Sequence, residues 1–175
     1  MIYLSEVETP LGVLAIAECK ERFLAVVPGG VDGAHFGTLR RRLEQWGELR
    51  LAARRPLAER FAVFLGGGER GRWSVDLSLA SDPLARSAYQ TLFRTRPGEL
   101  LSLVDLAERI GCAPEVDAVE AALLKNPLLG VVPSHRVRKD GALLGGLDEQ
   151  AWAGFFSSLP GERAEALSLA HSSLG

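Results

Sequence analysis

The chain changes its hydrophobic period part-way along, and that change constrains the fold more than any other feature. In the opening stretch, Ile2 to Val7, Gly12 to Ala17 and Phe23 to Val27 are short runs rich in apolar and β-branched residues. Thr9-Pro10-Leu11-Gly12 is a hairpin signal between the first two, and Val27-Pro28-Gly29-Gly30 ends the meander. Phe36 to Leu49 and Leu57 to Leu65 then carry apolar residues at three- and four-residue steps, which is helical spacing. Gly66-Gly67-Gly68 stops the second helix, and no lysine or serine follows in a nucleotide-loop pattern that would make it a phosphate cradle. Trp73 to Leu77 reads as a further strand, and Ser81-Asp82-Pro83 as the domain boundary.

Beyond that boundary the pattern is helical. Leu84 to Arg94 is a helix that Pro97-Gly98 terminates. Ser102 is an N-cap for Leu103 to Ile110, with Asp105 completing a capping box. Gly111 closes that helix, and Ala113-Pro114-Glu115 opens the next, which runs to about Lys125. Two short helices around a glycine turn predict a helix-turn-helix. Asn126-Pro127 breaks the second helix, and apolar Leu128 to Val132 leads into Pro133-Ser134-His135-Arg136. Asp140-Gly141 is a turn, Gly145-Gly146 a flexible point, Asp148 to Leu159 a further helix, and Glu162 to Leu169 a short one before a Ser/Gly tail. The expected fold is α/β: an amino-terminal antiparallel sheet with helices, then a helical carboxy-terminal domain containing the helix-turn-helix. The expected divisions are residues 1–80, 81–160 and 161–175.

Composition bounds the partners. The 47 % apolar fraction supports a packed core and excludes a disordered chain. Twenty basic against 22 acidic residues give a net charge of −2, so nucleic acid cannot be gripped by bulk positive charge. The basic stretch Arg40, Arg41, Arg42, Arg50, Arg54, Arg55 and Arg60 reads as a solvated helix face. Two cysteines, Cys19 and Cys112, and three histidines cannot build a disulfide framework or a four-cysteine zinc site. No metal and no cofactor are expected. The opening residues lack a signal-peptide pattern, and no apolar run approaches ~18 residues. A soluble, reduced, cytoplasmic monomer without membrane contact is expected.

The stretch Asn126-Pro127-Leu128-Leu129-Gly130-Val131-Val132-Pro133-Ser134-His135-Arg136-Val137 resembles the active-site segment of the O6-alkylguanine-DNA alkyltransferases, where Asn-Pro and a short apolar strand precede Pro-Cys-His-Arg-Val. Gly98, Glu99, Ser102, Leu106, Ala107, Ile110 and Gly111 are similar to that family's upstream pattern, and Thr9-Pro10-Leu11-Gly12 resembles its opening hairpin. The resemblance implies a repair protein that docks the second helix of its helix-turn-helix in the DNA minor groove and flips the damaged guanine into a pocket. There a cysteine thiolate accepts the alkyl group.

Set against that pattern, Ser134 occupies the acceptor position, beside His135 and Asn126. The DNA-contacting positions fall on Ser102, Leu103, Asp117, Ala118, Glu120 and Arg136. Asp117 stands where the family has its arginine finger, Leu103 where it has a tyrosine, Glu120 where a glycine permits close approach, and Gly146 where it has a second tyrosine. The glutamate that supports the family's cysteine-histidine pair is expected near Ser157, where there is no acid.

A thiol, with a pKa of about 8.5, is activated by a neighbouring histidine. A serine hydroxyl is a weaker acid and a harder nucleophile, so Ser134 is expected to be inactive in alkyl transfer. A serine hydrolase would need a facing histidine, an oxyanion hole and a nucleophile elbow, and none is evident. Cys112 lies in the turn before the docking helix and reads as a small packed side chain. His135 reads either as a base or as a core hydrogen-bonding group. Arg136, Arg138 and Lys139 read as a solvated turn or as an anion contact. Glu115, Asp117 and Glu120 against Lys125 make the docking helix acidic, which repels phosphates. Two functions therefore remain open. One is weak recognition of alkylated double-stranded DNA without transfer. The other is a repurposed protein-interaction or small-ligand module that no longer binds DNA.

Overall fold

The computed structural model describes residues 1–80, 82–144 and 150–163. Three strands form the predicted meander: β1 (Ile2–Thr9), β2 (Gly12–Cys19) and β3 (Arg22–Pro28). They are followed by α1 (Ala34–Trp46), β4 (Leu49–Leu51) and α2 (Pro56–Leu65). The sheet order is β3-β2-β1-β4, antiparallel except for β4, which runs parallel to β1.

Alternating side chains of these strands face opposite ways, and both faces are covered. Ile2, Leu4, Ala15, Ala17 and Val27 pack with Phe36 and Leu43 of α1. Leu14, Ile16, Phe23 and Val26 belong to a second cluster with α2 and the helices that follow. Two covered faces explain why the strands read as nearly continuous apolar runs.

Leu49 departs from expectation. The helix that contains Phe36 ends at Trp46, with Gly47 Nα donating to the Leu43 carbonyl, and Leu49 begins β4. Pairing of Ile2 with Leu49 and Tyr3 with Arg50 recruits this three-residue strand. Trp73 to Leu77 is likewise not a full strand. Val75 makes one bridge to Phe23, and a 3-10 turn covers Leu77–Leu79.

The second half contains α3 (Pro83–Phe93), β5 (Leu101–Ser102), α4 (Leu103–Arg109), α5 (Val116–Leu124), β6 (Val137–Lys139), β7 (Ala142–Leu143) and α6 (Gln150–Ser158). Asp82 caps α3 by accepting from Ala85 N at 2.7 Å. The Ser102 capping box forms as the spacing predicts: Ser102 Oγ accepts from Asp105 N, and the Asp105 carboxylate accepts from Ser102 N. Gly111, at φ +74°, turns the chain out of α4 and toward α5. The β6–β7 hairpin turns on Asp140 and Gly141, both at positive φ, as their pairing suggests. Gly145, Gly146 and most of the stretch from Glu162 to Leu169 lie outside the described residues.

The first half grips the second through backbone. Val26 N donates to the Pro127 carbonyl at 2.7 Å, and Leu129 N donates back to Val26 at 3.0 Å. These two bonds tie the sheet to the segment that carries Asn126 and leads into Ser134.

Candidate functional site

Asn126 organises the site from below. It ends the turn after α5 and is fully buried. Its Nδ2 donates to the Val132 carbonyl at 3.0 Å and to Ser134 Oγ at 3.2 Å, while its Oδ1 accepts from Leu128 N at 2.9 Å. One amide side chain therefore fixes both ends of the loop and presents Ser134. Gly130, at φ +75°, makes the reverse turn inside that loop. A Cβ there would lie 2.2 Å from Phe156 Cε1, so only glycine fits.

Ser134, His135 and Arg136 form a 3-10 turn, and all three side chains are buried. The His135 ring stacks on Phe156 of α6, with centroids 5.5 Å apart and planes at 22°. Its Nε2 lies 3.0 Å from Glu162 Oε2, a close polar contact that is off the line of an ideal hydrogen bond.

Glu162 is the centre of a buried charge cluster. Arg136 grips it bidentately, Nε to Oε2 at 2.9 Å and Nη2 to Oε1 at 3.1 Å, and its Nη1 donates to the Thr95 carbonyl and hydroxyl. Arg70, from the loop after α2, donates to Glu162 Oε1 at 2.7 Å and to the carbonyls of Gly130 and Val131. Its guanidinium also sits 4.6 Å from the Trp73 ring. Burial would raise the Glu162 carboxyl, but His135, Arg136 and Arg70 outweigh it and hold the group at about 2. Burial lowers Arg70 to about 10, still protonated at neutral pH. Burial, reinforced by the two arginines, pushes His135 below its ordinary value against the pull of Glu162. The imidazole is therefore neutral at pH 7. The carboxylate favours the proton on Nε2, which leaves the lone pair on Nδ1.

The sequence placed no acid in support of His135, because it looked near Ser157. Glu162 corrects that reading: the chain passes beyond the end of α6 before returning a carboxylate to the imidazole. The available signal was that Glu162 is the one carboxylate among residues 150–163. Arg70 was missed altogether, since no local pattern distinguishes it from the other arginines of the first half.

Arg136, expected among the DNA-contacting positions, turns inward and holds Glu162. Leu103 is also buried, packed in the core beneath α4. Ser102 Oγ serves as the α4 cap. Asp117 and Ala118 are exposed on α5. Glu120 is half-buried and accepts from Lys139 Nζ at 2.6 Å, joining α5 to the β6–β7 hairpin. The basic trio is thus divided: Arg136 faces the interior, while Lys139 is exposed and pairs with Glu120. Among the described residues, no group of three His, Cys, Asp or Glu side chains could hold a metal ion, and none of the helices is long and apolar enough to cross a membrane. Cys112 is half-buried, its Sγ within 3.8 Å of the Ile110 carbonyl.

The constitutive methylated-DNA–protein-cysteine methyltransferase of Bacillus subtilis (strain 168) is 35 % identical over 147 residues, covering 83 % of this chain and 86 % of that one. The chain belongs to the methylated-DNA–protein-cysteine methyltransferase family. Residues 83–154 match the family described as 6-O-methylguanine DNA methyltransferase, DNA binding domain. The methyltransferase of Mycobacterium leprae (strain TN) is 32 % identical over 70 residues, 40 % of this chain and 42 % of its own. The methyltransferase fold is also evident in solved structures. That of Mycobacterium tuberculosis O6-methylguanine methyltransferase superposes with a TM-score of 0.70 at 19 % identity, covering 91 % of this chain and 94 % of that one. The enzyme from Pyrococcus kodakaraensis strain KOD1 gives 0.67 at 19 % identity, covering 92 % and 99 %. The chain is thus a homologue of DNA-repair methyltransferases over most of its length.

Proposed function

We propose that this family member recognises alkylated duplex DNA but does not accept the alkyl group. The observation that carries the reading is the hydrogen bond from Asn126 Nδ2 to Ser134 Oγ, within a Pro-Ser-His-Arg turn that resembles the family's acceptor segment. Transfer requires displacement at an alkyl carbon by a soft anion. An alcohol flanked by a neutral imidazole is too weak an acid to supply one. The supporting groups persist nonetheless: Asn126, His135 and Glu162 form the surroundings a thiolate would need. Such a site retains a shaped interior after losing its nucleophile.

In this reading α4 and α5 form the DNA-docking helix-turn-helix, and the exposed positions Ser102, Asp117 and Ala118 face the duplex. Titration of labelled duplexes with and without O6-methylguanine, at low and moderate salt, tests the recognition. Binding that prefers the lesion and weakens as salt rises is the expected result. The mass of the intact protein after incubation with alkylated DNA tests the silence of the site, and no gain is expected.

A second reading is favoured by one specific observation. α5 exposes Asp117 just after exposed Glu115, and carries no arginine. If duplex binding is absent even at low salt, the surface has been turned to a protein or small-ligand partner.

A further inference from the structure

A cavity of about 390 Å³ is lined by residues of both halves of the chain. α1 supplies His35, Thr38, Leu39 and Arg42. Val27 of β3, Leu79, Tyr89 of α3 and Leu124 at the end of α5 close it, with Lys125 and Pro127 at the edge. The walls are mainly apolar, and none of the lining side chains is a carboxylate. The size falls in the range of small-molecule sites, about 300–1,000 Å³.

Two cations stand on its wall without an acidic partner. Arg42 donates to the Leu79 carbonyl at 3.2 Å and has no ion pair among the described residues. Lys125 is exposed and has no ion pair among those residues. Arg40, Arg41 and Arg60 also have no ion pair among the described residues, so what marks Arg42 and Lys125 is the mainly apolar cavity that they line. Asp82, which caps α3, acts on Tyr89 of the cavity wall. The Tyr89 hydroxyl is already committed to the Ala122 carbonyl at 2.6 Å, so it does not compete for the head of a ligand.

We infer that this cavity binds a small amphipathic monoanion: an apolar body against Leu39, Leu79 and Leu124, and a carboxylate-type head between Arg42 and Lys125. Apolar burial supplies the attraction and the two cations supply selection by charge. The cavity shares no side chain with the Ser134–His135–Glu162 cluster, although Leu124 and Lys125 lie at the end of α5.

Calorimetric titration of the full chain with decanoate, below its micellar concentration, and with decanol tests the inference. Saturable decanoate binding near one per chain is expected, at least tenfold tighter than decanol. Lys125→Gln, at an exposed position, should weaken decanoate at least threefold while leaving decanol unchanged. Arg42→Gln should weaken it further, with the unfolding midpoint recorded alongside. Absence of saturable decanoate binding, equal affinity for the acid and the alcohol, or an undiminished affinity in Lys125→Gln would each overturn the proposal. Binding by decanoate with no DNA binding, or the reverse, separates this site from the functional reading above.

Discussion

The interior of the site and the outer face of α5 have fared differently. Inside, one carboxylate meets two guanidiniums and an imidazole, and an asparagine holds the loop from three points. Outside, α5 presents Asp117 and pairs Glu120 with Lys139 across to a hairpin. The interior interactions are interdependent: removing Glu162 strands two buried guanidiniums, and removing Asn126 leaves the Leu128 N–H and the Val132 carbonyl without their partner. On the surface, Asp117 is exposed and the Glu120–Lys139 pair is partly solvated, so substitutions there carry little structural cost. On the proposed reading, a serine at position 134 is compatible with a preserved interior, and changes on α5 leave that interior intact.

Breaking the interior should give the largest effect. Glu162→Ala leaves Arg70 and Arg136 buried without a carboxylate, and a loss of about 3–5 kcal/mol in urea denaturation is expected. A midpoint within error of the parent would show that water reaches the cluster and that the interior is no more constrained than the surface.

Acid should dismantle the same cluster in two stages. Glu162 is held at about 2 against an ordinary 4.5, so its stabilisation is complete above the unfolded value and vanishes as pH falls from 4.5 toward 2. At ~1.36 kcal/mol per unit this amounts to roughly 3 kcal/mol. His135 acts in the same direction. Its folded pKa is depressed, so the unfolded chain takes up the proton first, and stability declines as pH drops below about 6.5. Stability measured between pH 8 and 3 should show both declines, and Glu162→Gln should lack the lower one.

The surface should respond only in binding. Asp117→Arg combined with Glu120→Ala removes two negative charges and adds a positive one on α5. Nonspecific duplex affinity at low salt should rise on the order of tenfold, with a steeper salt dependence and little movement of the unfolding midpoint. Unchanged affinity would mean that α5 does not face the duplex.

Much of this molecule is written locally. Ser102 and Asp105 announce the start of α4, Gly111 its end, and Asp140-Gly141 the hairpin, because caps and tight turns are satisfied within a few residues. Asn126 could be read as a helix-to-strand bridge for the same reason. β4 escaped because three residues carry no reliable period, and its pairing with β1 joins segments more than 40 residues apart. The Arg70–Glu162 contact spans 92 positions and leaves no trace at either end. Leu103 and Arg136 show the same limit: a linear pattern locates them, but only packing reveals that both side chains turn inward.

The span of the Glu162 cluster also dictates an order of events during synthesis. Arg70 emerges from the ribosome long before residue 162, and Arg136 follows it. Until the carboxylate arrives, both guanidiniums lack their acidic partner, and the loop from Gly130 to Arg136 is held from its Asn126 side without the Glu162 contact. The Ser134 site is thus among the last parts of the described chain to set, even though the sheet that supports it can form early.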